Sequence, residues 1–177
     1  MDEGLRRELL ARRDEDQRVR RMAPPPKGQE PVRLPDGVAA EWARIDTENT
    51  QWLGEVLAAR GWPGRTLVGE DGADAAWLLA QHADRDPGRQ RAFLDTLRGA
   101  VAQDDASPAN LAYLEDRVRV NAGQPQLYGT QFTVTDGGLG PCPIEDPPRL
   151  DERRAEAGLE PFAAYEALMR DIHTEQN

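Results

Sequence analysis

Between residues 36 and 123 the chain repeats the signals that start and end short helices. Asp86-Pro87 and Ser107-Pro108 each place a capping side chain before a first-turn proline. Gly61 and Gly123 follow apolar stripes at the positions where glycine ends helices. With Asp36 as a further cap, the pattern predicts helices over about residues 37–60, 73–83, 87–101 and 108–121, and a connector over 65–71.

The segments on either side of this region differ from it in amino-acid composition. Residues 1–22 form a charged amphipathic pattern and predict an N-terminal helix, whereas residues 23–36 are rich in proline and predict a linker. Aromatic and β-branched residues over 126–135 predict a strand, paired in a short β-hairpin near residues 126–144. A last amphipathic helix is expected from about residue 160 to 172.

These elements predict a mainly α (α+β) fold. We expect a bundle of about five to six helices with one short β-hairpin, preceded by the N-terminal helix and the linker. Residues 37–177 then form a single domain, because 177 residues fit one hydrophobic core.

The charge of the chain limits its partners. A net charge of −10 argues against binding to nucleic acid or to an anionic membrane surface. The first residues are too charged for a signal peptide, and the single cysteine, Cys142, allows no internal disulfide. We therefore expect a cytoplasmic, acidic protein with a small-molecule partner; its oligomeric state is left open.

Polar side chains fall on helix faces that are predicted to be buried. The apolar stripe of the second helix passes through Asn49, with Asp46 beside it. In the third helix His82 follows Leu78 and Leu79 at spacings of four and three, so it points to the side that they bury. Such groups need partners. They either bond nearby backbone and fix the packing, or they form a site.

Further polar residues accompany them. Gln90 lies on an apolar face of the fourth helix, and the strand carries a cluster around Gly129, where a glycine admits close approach of another group. For Asp116 and Arg117 the favoured interpretation is a structural ion pair or cap. The candidate catalytic residues are His82, Asp46, Tyr128 and Gln131. The candidate substrate-binding residues are Asp16, Gln17, Asn49, Gln81, Asp84, Gln90, Arg117 and Thr130.

Several common chemistries lack their motifs. The chain has no GxGxxG or GxxxxGK[ST] phosphate loop, no GxSxG nucleophile and no HExxH metal motif. Its only serine, Ser107, is a predicted cap, and Cys142 is interpreted as a bystander. We expect no cofactor and no metal. His82 with carboxylates such as Asp46, Asp84 or Asp116 would suit magnesium or iron, but no spacing demands it.

A series of short boxes resembles a known family. GWP, VG, QHAD, DRV, YGTQF and PIEDP, with Asp46-x-x-Asn49 upstream, are similar to the bacterial domain-of-unknown-function family 6624 over about residues 14–159. The resemblance implies no activity. It implies that the characteristic boxes contain Asp46, Asn49, Gln81, His82, Asp84, Asp116, Arg117, Tyr128, Gly129 and Gln131.

Three functions fit these residues. The first is a cofactor-free small-molecule enzyme, of hydrolase, lyase or cyclase type and in specialised metabolism, with His82 as general acid or base. Asp46 would orient the imidazole, and Tyr128 and Gln131 would donate hydrogen bonds to an oxyanion. The second is a peptide- or protein-binding module, for example an immunity-type protein, with a polar pocket and no turnover. The third is a purely structural polar network.

Overall fold

The computed structural model describes residues 1–22, 34–135 and 138–175, and within these ranges it has seven α-helices and one β-hairpin. The predicted mainly α fold with a short hairpin is confirmed. The helices are α1 (Glu3–Arg20), α2 (Asp36–Arg60), α3 (Arg65–Gln81), α4 (Pro87–Ala102), α5 (Pro108–Asn121), α6 (Leu150–Glu156) and α7 (Phe162–Glu175). The strands are β1 (Phe132–Thr135) and β2 (Gly138–Pro141), and Pro147–Arg149 form a turn of 3₁₀ helix. Most of the predicted linker lies outside the described residues.

The local capping signals act as predicted in α4 and α5. The Asp86 side chain accepts a hydrogen bond from the Arg89 amide at 3.0 Å, and the Ser107 hydroxyl accepts one from the Asn110 amide at 3.3 Å. These bonds satisfy amides that have no partner inside the helix. The prediction that Asp36 caps α2 was wrong, because Asp36 is the first helical residue and Pro35 precedes it without a capping side chain.

The start of α3 corrects a second prediction. Residues 65–71, predicted as a connector, belong to α3, which bends at Gly69 with a φ of 77°. Its first amides are capped by Asp105 from the α4–α5 loop: the Arg65 amide donates to the Asp105 carbonyl at 2.9 Å, and the Thr66 amide to its carboxylate at 2.8 Å. Because the capping residue lies in a distant part of the chain, no local sequence pattern predicts where this helix begins.

The apolar core lies where α3 meets α1, α2, α4 and α5. Its largest fully buried apolar side chains come from these five helices: Leu9, Val19, Leu53, Val68, Leu79, Leu94, Leu97 and Leu114. The N-terminal helix, whose packing the sequence left open, lies against α3 through its predicted stripe. Residues of α1 therefore become part of the body of the protein.

The C-terminal third is built around the hairpin. Strand β1 pairs antiparallel with β2, from Phe132 opposite Pro141 to Thr135 opposite Gly138. The predicted strand over 126–135 is shorter than expected, because the chain turns through Gly129, which has a φ of 69°. Helix α6, which the sequence did not predict, follows the hairpin and buries Leu150 and Arg154. Among the described residues, no helix has both the length and the apolar character needed to cross a membrane.

Candidate functional site

His82 and Asp16 form the centre of the candidate site. His82 is the C-cap of α3 rather than a residue within it, and its side chain is 16% exposed. Both carboxylate oxygens of Asp16, in α1, lie 3.0 Å from His82 Nδ1. An ionised carboxylate only accepts hydrogen bonds, so Nδ1 carries the hydrogen and Nε2 of the neutral ring keeps its lone pair.

The carboxylate on His82 is not the one that the sequence predicted. Asp46 was expected there, but its Oδ1 accepts from Arg20 Nη2 at 2.7 Å. Arg20 also donates to Asp16 from Nε at 3.1 Å, and its guanidinium lies 4.5 Å from the centre of the Trp42 ring. Arg20 therefore joins the two buried carboxylates of α1 and α2. We call His82, Asp16, Arg20 and Asp46 the histidine cluster.

The two carboxylates of this cluster have pKa values shifted in opposite directions. Burial raises the pKa of Asp16, but hydrogen bonds from His82 and Arg20 outweigh it, so that the net pKa lies below the ordinary 3.8. Burial raises the pKa of Asp46 above 3.8, although the charge of Arg20 opposes this shift. The protein thus favours the charged form of Asp16 and disfavours that of Asp46.

This contrast predicts different effects for two isosteric variants. Asp16→Asn is expected to lower the free energy of unfolding at pH 7 by about 1–3 kcal/mol, because it removes the charged acceptor of His82 and Arg20. Asp46→Asn keeps an acceptor for Arg20 and relieves a buried charge, so stability should be unchanged or higher. Urea unfolding of both variants beside the wild type measures the difference.

The pH dependence has a defined sign. Because the pKa of Asp16 is lower in the folded than in the unfolded chain, its contribution is fully present above about the ordinary 3.8 and is lost as pH falls through the folded value. The deficit of Asp16→Asn should therefore be constant above about pH 4 and should shrink as the pH falls further below that value. Equal losses of unfolding free energy in Asp16→Asn and Asp46→Asn would contradict this explanation. A loss in Asp16→Asn that stays the same at acidic pH would also contradict it.

A second polar group, the Asp84 cluster, lies two residues beyond His82. Asp84 accepts from Arg117 in a bidentate pair at 3.0 and 2.6 Å. It also accepts from Gln90 Nε2 at 2.9 Å and from Asn121 Nδ2 at 2.8 Å. Gln90 additionally donates to the carbonyl of Gln81 at 3.1 Å, near the end of α3. This cluster ties α3, α4 and α5 together, which agrees with the ion pair expected for Arg117.

The expected oxyanion donors, Gln131 and Tyr128, are placed differently. Gln131 Oε1 accepts from Arg117 Nη1 at 3.0 Å and its Nε2 donates to Thr130 Oγ1 at 3.0 Å, so its amide is engaged within the protein. The Tyr128 phenol is half-buried; burial raises its pKa, and the negative charge of Glu115 raises that pKa further. The charged groups that act on the Tyr128 phenol are Glu115, Asp116, Arg153 and Glu156, and none of them belongs to the histidine cluster.

Thr130 belongs to a third arrangement, centred on Asp116. The Asp116 carboxylate is fully buried and accepts from the amides of Leu127, Tyr128 and Thr130 and from the Thr130 hydroxyl, at 2.6 to 3.1 Å. This carboxylate holds the loop before β1 in place. These hydrogen bonds are of the kind that the favoured interpretation, a structural ion pair or cap, expects of Asp116.

Three predicted site residues remain, namely Gln17, Asn49 and Gln81. Gln17 Nε2 donates to Asp16 at 2.9 Å, and Asn49 Oδ1 accepts from Arg12 Nη1 at 3.2 Å. Asn49 Nδ2 and Gln81 Oε1 are buried and have no hydrogen-bond partner among the residues that the structure describes. An unpaired buried polar atom costs free energy, and the ring nitrogens of Trp62 and Trp77 share this condition among the described residues.

Sequence reasoning missed Arg20, Asn121 and Arg154. Arg20 carried a readable signal, because it lies four residues after Asp16 on the same face of α1. Arg154 carried none: it is buried between aromatic rings and donates to the Glu160 carbonyl at 2.6 Å, within a helix that was not predicted. Within the described ranges, no three His, Cys, Asp or Glu side chains group closely enough to hold a metal ion.

Comparison with known proteins adds one finding. The model of the group described as "Family of unknown function (DUF6624)" matches residues 3–176. Neither the curated proteins nor the solved structures contain a match to the chain. The family match includes α1, the hairpin and all three polar arrangements. The chain belongs to the DUF6624 family.

Proposed function

We propose that the protein is a cofactor-free small-molecule enzyme in which His82 is the general acid and base. The observation that carries this proposal is the contact of a buried, ionised Asp16 with Nδ1 of a partly exposed imidazole. A carboxylate at Nδ1 fixes the tautomer and stabilises the imidazolium that forms when Nε2 takes a proton. In this role Asp16 is a positioning residue.

The candidate reactions are those that need proton transfer without a covalent intermediate. They are addition of water to a small ester, amide or epoxide, and an elimination or cyclisation that begins with proton removal. The nucleophiles of the chain support this choice. Ser107 caps α5, and burial raises the pKa of the Cys142 thiol, which disfavours the reactive thiolate. A place in specialised metabolism remains part of the proposal, as does a cytoplasmic location.

The first experiment observes the imidazole of His82 directly. His173→Ala leaves His82 as the only histidine of the chain. We expect ¹⁵N spectra to show a ring that carries its hydrogen on Nδ1, and fractions of a metabolite extract that contain a substrate to shift the Nε2 signal. A ring with its hydrogen on Nε2, or one that no fraction perturbs, would contradict the proposal.

Turnover supplies the second test. Once a fraction or a probe such as p-nitrophenyl acetate is consumed, His82→Gln should lower kcat/KM by about 10²–10⁴-fold. Asp16→Asn should lower kcat more than it raises KM and should change the pH profile, because it alters the tautomer rather than the binding of substrate. Glu41→Gln, which removes a contact with the exposed Arg18, serves as the control.

A binding module without turnover is the second candidate. It is favoured by large apolar side chains that are exposed on α7 and β1, namely Leu168, Ile172 and Val134. A peptide or a partner protein would cover them. The two functions separate on two variants: Leu168→Asp removes binding and spares turnover, whereas His82→Gln does the reverse.

A further inference from the structure

A groove lies between α2 and the start of α4, next to the histidine cluster. It has a volume of about 240 Å³ and is lined by Thr47, Thr50 and Gln51 of α2 and by Arg85, Asp86 and Arg89. No predicted site residue lines it. The volume is enough for a group of a few heavy atoms, such as a carboxylate or a phosphate.

The charges of the groove do not cancel. Asp86 caps α4 and lies 3.2 Å from Arg89 Nε, so the single carboxylate of the groove is matched by one arginine. Arg85 is exposed and has no hydrogen bond or ion pair with any residue in the described ranges. In a protein with a net charge of −10, an arginine without a carboxylate partner is a cation available to a ligand.

The threonine hydroxyls of the groove are not available to donate to a ligand, so binding of a ligand depends on the arginines. The hydroxyls of Thr47 and Thr50 donate to the carbonyls of Ala43 and Asp46, each at 2.7 Å. Their hydrogens are therefore already used. Gly54, one turn beyond Thr50, leaves space for Arg89, since a side-chain carbon at Gly54 would lie 2.8 Å from Arg89 Nη1.

Both walls of the groove continue into the histidine cluster. Thr50 is hydrogen-bonded to Asp46, which binds Arg20, and Arg85 follows His82 by three residues. The Cα atoms of His82 and Arg85 are therefore at most about 11 Å apart. A molecule held in the groove would have to span a distance of this order to reach the imidazole.

We propose that this groove binds a compact oxyanion, a carboxylate or phosphate group, with Arg85 as the principal donor and Arg89 beside it. Guanidinium groups bind such oxyanions through paired N–H donors. Where the proposed function holds, this group is the anionic end of the substrate, and the substrates are organic acids or phosphate esters. That assignment rests on the proposed function, whereas anion binding itself does not.

Binding is tested with inorganic phosphate and with acetate, each titrated at constant ionic strength into ¹⁵N-labelled protein. We expect the Nε–H signals of Arg85 and Arg89 to shift and to saturate, at lower concentration for the anion that the groove prefers. Arg85→Gln should weaken this binding at least tenfold. Arg91→Gln, which changes an exposed arginine on the opposite face of α4, should leave the affinity within twofold.

Gly54→Ala is the second variant, because it displaces the Arg89 guanidinium without removing a charge. It should weaken phosphate or acetate binding, while Arg85→Gln weakens it further. Signals that do not saturate with either anion, or equal losses in Arg85→Gln and Arg91→Gln, would overturn the inference. Neither result would affect the test of His82, because that test measures the imidazole tautomer and turnover.

Discussion

Asp116→Ala is expected to lower the free energy of unfolding by about 3 kcal/mol or more, because it removes one carboxylate that satisfies several buried donors. The amides of Leu127, Tyr128 and Thr130 all donate to this group. Each buried donor left without an acceptor costs roughly 1–3 kcal/mol. Urea unfolding measures the loss, and hydrogen exchange of these amides should accelerate more than that of the α4 core.

Two control variants separate this role from a general effect of charge. Asp116→Asn keeps the shape and one acceptor oxygen, so its loss should lie between those of the wild type and the alanine variant. Glu115→Gln changes the neighbouring residue, whose partner is the exposed Arg98, and should cost less than about 1 kcal/mol. Similar losses for Glu115→Gln and Asp116→Ala would show that the loop does not depend on the buried carboxylate.

Gly129→Ala is expected to lower the free energy of unfolding by about 2–5 kcal/mol. Gly129 has a φ of 69°, and a Cβ there would lie 2.7 Å from the ring of Phe162. The left-handed backbone costs an alanine roughly 1–2 kcal/mol, and overpacking adds about 1–3 kcal/mol. Thermal or urea unfolding measures the total, and a shifted Phe162 ring signal should accompany it.

Gly123→Ala isolates the backbone contribution. Gly123 has a nearly equal φ of 71°, and a Cβ there would meet no atom within 4 Å. Its loss should therefore be about 1–2 kcal/mol. The difference between the two variants measures the contact between the loop and α7. If both alanines cost the same, Phe162 does not pack against Gly129 in solution.

The sequence predicted the elements whose causes are local. Helices α4 and α5 begin where Asp86 and Ser107 cap them, because a cap and its amide are three residues apart. The hairpin was located because β-branched and aromatic residues cluster there. Helix α6 was not predicted from the sequence, because its seven residues include the buried Arg154 and form no apolar stripe.

The predictions for the candidate site divide in the same way, into local features that were predicted and long-range contacts that were not. The faces of the second and third helices indicated that Asp46, Asn49, Gln81 and His82 point inward. The sequence did not predict which residues elsewhere in the chain these side chains contact. Asp46 was assigned to His82, but the structure gives His82 to Asp16 and Asp46 to Arg20.

What the sequence alone determined is therefore the order and type of most elements and the inward direction of the polar side chains, because helical periodicity and caps act over three or four residues. What only the tertiary structure decided is which of those side chains meet. Asp16 and His82 are separated by 66 positions, and Asp105 caps Thr66 across 39. Such pairs form because packing of α1 and α4 against α3 brings unsatisfied groups together, and a buried charge accepts the partner that packing places within reach.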